Sequence, residues 1–547
     1  MRALTVWFAA CALMMLAACD ETPGAPSPDA ASQPAGLSAE TTRMGPRPFV
    51  TVRDGRFVDG AGRQVILHGI NVQEKSKAKN YLSWHGPEQF AAMREWGFNC
   101  VRLLISWDGL EPAPGKYDET YLAGVDQRIA WAKEQGLYVL LDMHQDLYGV
   151  KFGNGAPLWA TLDEGKPHVA GGAVWSDAYL TSAAVQTAFD NFWANKPGPD
   201  GVGIQDRFAL AWRYVAQRYA DEPAVLGYDL LNEPFLGSRA PGAYLLAFAK
   251  AAALLAPAQD PAAVTVAGLV QQWSGVAGRA ALMQRLADVQ LYAAIVDAAG
   301  PVFQEFERTA LSAMYRRVGE AIRQVDRNHV LFIEGSVSAN IGIPAGVEPL
   351  TGSDGATDAL QAFAPHAYDI VTDTPEASQA NGARVELIFS RRGETSKRLG
   401  LPMLIGEWGA YYGSPDTLPA ARVVVRQLEK LLCGDTYWDF HEGILNAAYF
   451  KMLKRPYPQA VVGALLSYHA DPETGLFECA WKENGDATEP TCIYVPDVWY
   501  PRGHETSVSP PGPAYRVAPI AGAQQSAYLL VPPLGHGVIR QLVIRPI

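Results

Sequence analysis

Short apolar runs alternate with helical patterns along most of this 547-residue chain, and this alternation limits the possible folds more than any other feature. Eight runs have the length and composition of buried strands, at residues 65–70, 99–105, 137–142, 224–231, 329–334, 361–365, 402–405 and 436–440. Helical patterns lie between them, for example at residues 86–96, 120–135, 208–219, 305–325 and 420–432. Strands that alternate with helices indicate an α/β fold with a parallel sheet, and eight repeats predict a closed (β/α)8 TIM barrel.

The spacing of the repeats predicts two further segments. The gap between the strands at 224–231 and 329–334 is long enough for an inserted, Ala-rich helical segment at roughly 241–300. From residue 454 onward the pattern changes to short strands separated by Gly and Pro turns, which is typical of a β-sandwich. We therefore expect a (β/α)8 barrel at residues 48–453 and a C-terminal β-sandwich domain at residues 454–547.

The first residues have the form of an export signal. Arg2 precedes a short apolar core that ends in Leu16-Ala17-Ala18-Cys19, and this core is too short to span a membrane. Small residues before a cysteine resemble the processing site of bacterial lipoproteins, which implies a signal peptide at 1–18 and lipidation of Cys19. The alternative is an ordinary secretory peptide that is cut nearby. In both cases an exported protein is expected, either secreted or held at a membrane surface of the cell envelope.

Residues 19–47 are rich in Pro, Ala, Ser and Gly and predict a flexible tether. The net charge of −12 argues against nucleic acid as a partner, and we expect the protein to act as a monomer. Cys479 and Cys492 lie in a turn-rich segment where export permits a disulfide, whereas Cys100 is expected to be a buried thiol. The sequence contains no cysteine–histidine spacing for zinc and no phosphate loop, so no metal or cofactor is expected.

Two glutamates follow predicted strands in similar surroundings. Glu233 ends the stretch Leu230-Leu231-Asn232-Glu233, and Glu407 lies in Ile405-Gly406-Glu407-Trp408. Each by itself could be a surface glutamate after a strand. In a closed barrel, however, both lie at the rim that carries catalytic groups, and they face each other across it. Two carboxyl groups that flank a glycosidic bond are sufficient for glycoside hydrolysis, so this pair is the predicted catalytic site.

Further polar and aromatic residues follow the same strand ends. Arg102 could keep Glu407 ionised, or form a structural ion pair in the barrel, and the two roles are compatible. Asn232 could donate to the sugar 2-hydroxyl group, and Trp438 could be the surface on which the sugar stacks or a core tryptophan. Because they lie at the same strand ends, we expect one substrate-binding group, made up of Lys75, Arg102, His144, Asp146, Asn232, His366, Tyr368 and Trp438.

Five of these motifs together resemble glycoside hydrolase family 5. They are Arg102 after Asn99, the region of His144, Asn232-Glu233-Pro234, His366-Ala367-Tyr368, and Glu407 in Ile-Gly-Glu-Trp-Gly. The resemblance implies a (β/α)8 barrel and hydrolysis with retention of configuration. It also implies that Glu233 is the acid/base and Glu407 the nucleophile.

Within that family the chain is similar to the endoglycoceramidases. The similarity is carried by His144-Gln145-Asp146-Leu147-Tyr148, by Leu103-Leu104-Ile105-Ser106-Trp107 with Glu111-Pro112, and by Arg455-Pro456-Tyr457-Pro458-Gln459-Ala460. These enzymes cut glycosphingolipids between the first glucose and ceramide. The similarity implies an endoglycoceramidase or glucosylceramidase activity, with the first sugar held by Lys75, His144, Asp146 and Asn232.

Other interpretations of the sequence remain open. One is a broad β-glucosidase or endoglucanase of the same family, which cleavage of free oligosaccharides would identify. Another is a non-catalytic glycan-binding lipoprotein, although binding alone requires neither glutamate. The inserted segment at 241–300 is either an apolar collar for the ceramide tails or an extra helical pair on the side of the barrel.

Overall fold

A computed structural model describes residues 49–547 except 171–173, 257–263, 375, 413–416, 486, 488 and 524. The predicted signal peptide, Cys19 and the whole of the predicted tether lie outside the described residues. No helix in the part of the chain that the structure describes has the length and apolar character needed to cross a membrane.

Three short strands precede the barrel: β1 (Thr51–Arg53), β2 (Arg56–Val58) and β3 (Arg63–Val65). The barrel strands are β4 (His68–Val72), β5 (Cys100–Ser106), β6 (Tyr138–His144), β7 (Val225–Asp229), β8 (Val330–Ile333), β9 (Gln361–Phe363), β11 (Leu404–Ile405) and β13 (Gly434–Tyr437). They are parallel and nearly all of their residues are buried, as expected for strands covered by helices. A bridge between Phe363 and Met403 joins β9 to the start of β11 and closes the ring, which confirms the predicted barrel.

A parallel pair of two-residue strands extends the barrel at the carboxyl end of its strands. This pair consists of β10 (His366–Ala367) and β12 (Glu407–Trp408), which follow β9 and β11. In its register His366 lies opposite Glu407. The backbone therefore brings the predicted histidine and the predicted nucleophile side by side.

Helices surround the barrel and fill the long gap between β7 and β8. Before that gap they are α1 (Pro87–Glu95), α2 (Trp107–Leu110), α3 (Glu119–Glu134), α4 (Ala178–Thr181), α5 (Ala183–Trp193) and α6 (Ile204–Tyr219). In the gap they are α7 (Ala240–Leu255), α8 (Val266–Ser274), α9 (Val276–Arg285), α10 (Val289–Asp297), α11 (Gly300–Phe306) and α12 (Ser312–Arg323), and the last three are α13 (Gly382–Leu399), α14 (Leu418–Leu431) and α15 (Phe450–Leu453). Helices α7 to α10 occupy the position of the predicted insertion.

The C-terminal strands form two antiparallel sheets. These strands are β14 (Tyr457–Val462), β15 (Ala464–Ala470), β16 (Phe477–Lys482), β17 (Thr491–Val495), β18 (His504–Ser509), β19 (Arg516–Pro519), β20 (Ala527–Val531) and β21 (Ile539–Pro546). One sheet has the order β15-β16-β21-β18, and the other has the order β1-β2-β3-β14-β17-β20-β19.

The larger sheet changes the domain boundary that the sequence suggests. Its first three strands come from residues 51–65, which the sequence assigns to the barrel, and Val65 of β3 pairs with Ala460 of β14. The apolar run 65–70 therefore does not form one barrel strand, because it leaves the β domain at Val65 and enters the barrel at His68. The run is buried in the β-domain sheet and also in the barrel, so its hydrophobicity does not show where the chain passes from one to the other.

Buried ionic contacts tie the β domain to the barrel. Arg455, which precedes β14, donates from Nη2 to Oδ1 of Asp435 on β13 at 2.7 Å. His68 on β4 contacts the same oxygen through Nδ1 at 2.9 Å. The charges of Arg455 and His68 hold the pKa of Asp435 well below its usual value even though burial raises it. Arg455 thus has a structural role at the end of the barrel opposite the strand ends that carry Glu233 and Glu407.

The disulfide that the sequence leaves possible between Cys479 and Cys492 is not formed in the described part of the chain. Cys479 lies on β16 and Cys492 on β17, which belong to different sheets. The Cys492 thiol instead contacts Oε1 of Gln459 at 3.7 Å. Proximity in sequence therefore does not bring the two thiols together, because the chain changes sheets between them. Cys100 on β5 is a buried thiol, as predicted.

Candidate active site

Glu233 lies in a tight turn just beyond the carboxyl end of β7. Its φ of +47° places it in the left-handed region, which is strained for a residue with a side chain. Neighbouring strands hold this turn. The backbone N–H of Glu233 donates to Oε2 of Glu334 at 3.0 Å, and Nε2 of Gln145 donates to the carbonyl oxygens of Asn232 and Glu233, each at 3.0 Å. These bonds fix the direction in which the Glu233 carboxyl group points.

Glu407 is buried on β12, and each of its carboxylate oxygens accepts a hydrogen bond. Nη1 of Arg102 donates to Oε1 at 2.6 Å, and the hydroxyl of Tyr368 donates to Oε2 at 2.9 Å. Burial and the charge of Glu233 raise the pKa of Glu407 above its ordinary value, and the charges of His366 and Arg102 only partly offset this rise. The two donors stabilise the ionised carboxylate and orient it, as a nucleophile requires.

His366 lies between the two glutamates. Its Nδ1 is 2.8 Å from Oε1 of Glu233 and 3.5 Å from Oε2 of Glu407. One carboxylate oxygen of Glu233 lies within 4.8 Å of one carboxylate oxygen of Glu407. Retaining glycosidases place their two carboxyl groups about 5–5.5 Å apart, whereas inverting enzymes need about 6.5–9.5 Å to admit a water. The observed separation has the retaining geometry.

Among the described residues, Glu233, His366 and Glu407 are the group with the spacing of metal ligands. Burial lowers the pKa of His366, but the charges of Glu334 and Glu407 and the hydrogen bond to Glu233 hold it well above its usual value. A protonated imidazole donates from both nitrogens and has no lone pair for a metal ion. The histidine therefore acts as a cation among carboxylates in this arrangement.

Arg102 on β5 is completely buried and contacts carboxylates on β6, β7 and β12 and one just beyond β8. Besides Glu407, its guanidinium contacts Asp229 at 2.9 Å, Asp142 at 3.0 Å and Glu334 at 3.3 Å. Burial disfavours its charge, but these carboxylates raise the pKa of Arg102 well above its ordinary value. The structural ion pairs that the sequence leaves open are thus present, and the same guanidinium contacts Glu407, where its charge lowers the pKa against the effect of burial.

The same guanidinium orients Asn232. Nη2 of Arg102 donates to Oδ1 of Asn232 at 2.9 Å, and Nδ2 of Asn232 donates to the carbonyl oxygen of Gln145 at 3.1 Å. These contacts fix which end of the amide is the donor and leave its second N–H for a substrate hydroxyl group.

The remaining predicted binding residues form a wall beside the glutamates. Nδ1 of His144 lies 2.7 Å from Asp142, and its ring stacks on Trp438 with centroids 5.5 Å apart. Lys75 donates to Asp146 at 2.6 Å and lies 4.5 Å from the centroid of the Trp438 ring. Burial raises the pKa of Asp146, but Lys75 and His144 hold it well below its ordinary value. The structure thus brings all eight predicted binding residues into one site.

Sequence reasoning misses several residues of the site. Asn340, in a 3-10 turn at Val337–Ile341, donates from Nδ2 to Oε1 of Glu233 at 2.5 Å. No motif marks this asparagine. Glu334, by contrast, ends a predicted strand in the same way as Glu233 and Glu407, so its position alone could have identified it. Asn71 and Asn154 also belong to the site, through bonds to Arg102 at 3.1 Å and to Asp146 at 2.6 Å.

Two loops meet at the rim of the site. Nε1 of Trp175 donates to Oδ2 of Asp373 at 3.0 Å, and Trp175 is 43% exposed. Burial raises the pKa of Asp373, and the nearby charge of Glu233 raises it further. The loop after β6 and the loop after β10 therefore meet near Glu233, the predicted acid/base.

The chain matches two family models in consecutive segments. Residues 58–443 match the cellulase model of glycosyl hydrolase family 5, and residues 455–534 match the model of the glycoside hydrolase family 5 C-terminal domain. A relative from Rhodococcus hoagii (strain 103S), named endoglycoceramidase I, is 27% identical over 479 residues, which cover 84% of this chain and 83% of the relative.

Solved structures of endo-glycoceramidase II from Rhodococcus sp. are also similar. Its complex with ganglioside GM3 has a TM-score of 0.69 and 25% identity, and the match covers 90% of this chain and 100% of that one. Its lactosyl-enzyme intermediate has a TM-score of 0.67 and 25% identity, and the match covers 91% of this chain and 100% of that one. The similarity therefore extends over the barrel and the β domain together.

Proposed function

Because this chain belongs to glycosyl hydrolase family 5, we propose that it is a retaining glycosidase that cleaves glycosphingolipids between the sugar head group and ceramide. The observation that carries the proposal is the position of His366 between Glu233 and Glu407. One carboxylate oxygen of Glu233 lies within 4.8 Å of one carboxylate oxygen of Glu407. A pair this close leaves no room for a water between the carboxyl groups and the sugar, so direct attack by one carboxylate is favoured.

In the first step Glu407 attacks the anomeric carbon while Glu233 protonates the glycosidic oxygen. The carbon–oxygen bond breaks, ceramide leaves with the proton, and the sugar becomes covalently bound to Glu407. Asn340 and His366 both contact Oε1 of Glu233, and no described residue donates a hydrogen bond to Oε2. Oε2 is therefore the oxygen that delivers the proton.

In the second step Glu233 acts as a base. It removes a proton from a water that attacks the anomeric carbon, and the bond between the sugar and Glu407 breaks. The second displacement restores the β configuration and the starting protonation of both glutamates. Asn232, oriented by Arg102, donates to the 2-hydroxyl group, a contact that strengthens in the transition state.

The similar proteins support the substrate class. The relative and the solved structures are named endoglycoceramidases, and one of those structures holds ganglioside GM3. The polar wall of His144, Asp146 and Lys75 with the flat face of Trp438 suits the first sugar of such a substrate.

We further propose that the protein acts as an exported monomer, anchored at the cell envelope through acyl chains on Cys19. The support is the sequence Leu16-Ala17-Ala18-Cys19 and the tether composition of residues 19–47. An anchored enzyme would meet a membrane-bound substrate without first dissolving it.

A substrate panel tests the proposed function. The protein is incubated with glucosylceramide, lactosylceramide, a ganglioside and cellooligosaccharides, with Glu407→Gln as the inactive control, and the released sugars are identified. The expected result is the release of intact glycans from the lipids. NMR should show that each glycan is first released as the β anomer. Release from cellooligosaccharides alone would indicate an endoglucanase, and release of the α anomer would exclude the double displacement.

A further inference from the structure

Helix α7 exposes three leucines on its outer side, although Leu255 is buried and Tyr244 and Phe248 are half-buried against the core. Its buried residues include Ala243, Ala247 and Ala251, one turn apart. Leu245 is 48% exposed, Leu246 is 47% exposed and Leu254 is 39% exposed. We define the outer face of α7 as its exposed apolar residues, namely Leu245, Leu246, Ala249, Ala253 and Leu254.

Three exposed leucines are not expected on a helix whose outer face meets water. Such a helix buries leucine and exposes polar residues, since burial of large apolar side chains supplies most of its stability. Helices in lipid instead pack on protein through small residues and turn long apolar side chains toward hydrocarbon. Alanines spaced four residues apart let α7 approach its neighbours closely, while Leu245, Leu246 and Leu254 remain available for an apolar partner.

The charges around α7 also suit a lipid surface. The chain has a net charge of −12, which repels anionic lipid headgroups. Residues 240–287 nevertheless contain a single acidic residue, Asp260, which lies outside the described residues. The one charged residue of α7 is Lys250, which is exposed. This face can therefore approach an anionic surface from which much of the protein is repelled.

The position of α7 connects its outer face to the active site. The helix begins at Ala240, seven residues after Glu233. The hydroxyl of Tyr244 donates to Oγ of Ser338 at 2.9 Å, in the same turn that supplies Asn340 to Glu233. The outer face thus lies on a helix that packs against the rim of the site.

We propose that the outer face of α7 docks on the lipid surface that carries the substrate and holds the mouth of the barrel against it. The inference rests on the proposed function, because a glycosphingolipid substrate resides in such a surface. Insertion of Leu245, Leu246 and Leu254 at the depth of the headgroups would bury these side chains without a spanning helix. The inserted segment then serves membrane recognition as well as packing.

The test compares two triple variants of the full chain. The first is Leu245→Gln/Leu246→Gln/Leu254→Gln, which keeps side-chain size and charge and removes only the apolar character. The matched control is Leu466→Gln/Val517→Gln/Ile539→Gln, at side chains of the β domain with 46%, 51% and 53% exposure. Every protein carries Cys19→Ser, so that no acyl chain contributes to binding.

Three substrates separate docking from catalysis. They are glucosylceramide in phosphatidylcholine vesicles with anionic phosphatidylglycerol, a short-chain glucosylceramide that stays monomeric, and a soluble aryl β-glucoside. We expect the α7 variant to raise KM for the vesicle substrate about tenfold or more, because binding no longer buries three leucine side chains in the lipid surface. It should leave both soluble substrates and the melting temperature nearly unchanged, and the control variant should behave as the parent protein.

Other outcomes would overturn the inference. An unchanged KM for the vesicle substrate would do so, as would an equal loss on all three substrates or the same loss in the control. A dimer in sedimentation that the α7 variant dissociates would assign the face to a second copy of this chain. If the parent protein cleaves neither glucosylceramide, the proposed function fails. In that case co-sedimentation with glycolipid-free vesicles still tests the docking. The α7 variant must then bind the vesicles about tenfold more weakly than the parent protein.

Discussion

Arg102 and Glu407 form a buried ion pair in which Nη1 of the arginine lies 2.6 Å from Oε1 of the glutamate. The pair joins the barrel interior to the proposed nucleophile, because the same guanidinium contacts Asp229 and Asp142. The reactivity of Glu407 and the stability of the barrel therefore depend on one side chain.

Replacement of Arg102 tests this double role. Arg102→Met should lower the free energy of unfolding by about 3–5 kcal/mol, because it leaves buried carboxylates without their counter-charge. Activity should fall to background even at temperatures where the variant is folded. Denaturant unfolding and turnover of an aryl β-glucoside measure the two effects. A stable variant without activity would show that the arginine serves only the site.

Labelling identifies the nucleophile. A fluorinated glycosyl inactivator should form a covalent adduct on Glu407, and Glu407→Gln should abolish turnover, because the amide cannot attack the anomeric carbon. Peptide mapping by mass spectrometry locates the adduct. An adduct on Glu233 would reverse the two assigned roles.

The acid role of Glu233 predicts a dependence on the leaving group. Glu233→Ala should slow a ceramide glycoside far more than a dinitrophenyl glycoside, because an acidic leaving group departs with little protonation. The measurement is kcat/KM for aryl glycosides over a range of phenol pKa values. Equal losses across the series would contradict the assignment.

Asn340 should act through Glu233. The hydrogen bond from its side-chain amide to Oε1 of Glu233 leaves Oε2 to carry the proton. Asn340→Ala should therefore lower kcat for a glycosylceramide about tenfold or more. The loss on a dinitrophenyl glycoside should be smaller. Asn328→Ala, which removes an amide that bonds the carbonyl oxygen of Ala220 away from the site, is the matched control. Identical losses on both substrates would indicate a structural effect.

The raised pKa of His366 predicts a pH-dependent contribution to stability. Burial lowers this pKa, but Glu334, Glu407 and Glu233 hold it well above the ordinary value of 6.5 in the folded protein. A folded-state pKa above the unfolded value stabilises the fold fully below about pH 6.5, and the contribution is lost as pH rises through the folded pKa. The stability difference between wild type and His366→Gln should therefore be largest in acid and shrink in alkali. Denaturant titrations at several pH values measure it, and a difference that grows with pH would refute it.

Cys19→Ser tests the proposed anchor. The variant should move from the membrane fraction to the soluble fraction, because the acyl chains have no other attachment site in the proposed scheme. A coil at residues 19–47 would span about 30 Å, which lets the barrel turn its mouth toward the bilayer. Fractionation of cells that express either form measures the change. A wild type that is already soluble and unmodified would contradict the anchor.

Residues at strand ends could be predicted from the sequence because their roles follow from local pattern. Glu233 and Glu407 follow apolar strands, and the closed barrel then places both at one rim. Lys75, His144 and Trp438 follow other strands and reach the same site for the same reason. Asn340 could not be predicted, because its contact with Glu233 depends on the path of a turn that carries no sequence signal.

The pairing of β3 with β14 could not be predicted from local pattern either. The same holds for the separation of Cys479 and Cys492. Hydrophobic runs and turn residues are local properties, so the amino-acid sequence alone determined the alternation of strands and helices, the barrel and its catalytic rim. Which strands share a sheet, which thiols meet and which donor contacts Glu233 are contacts between distant segments. Only the tertiary structure decided them, because many different pairings would bury the same apolar residues equally well.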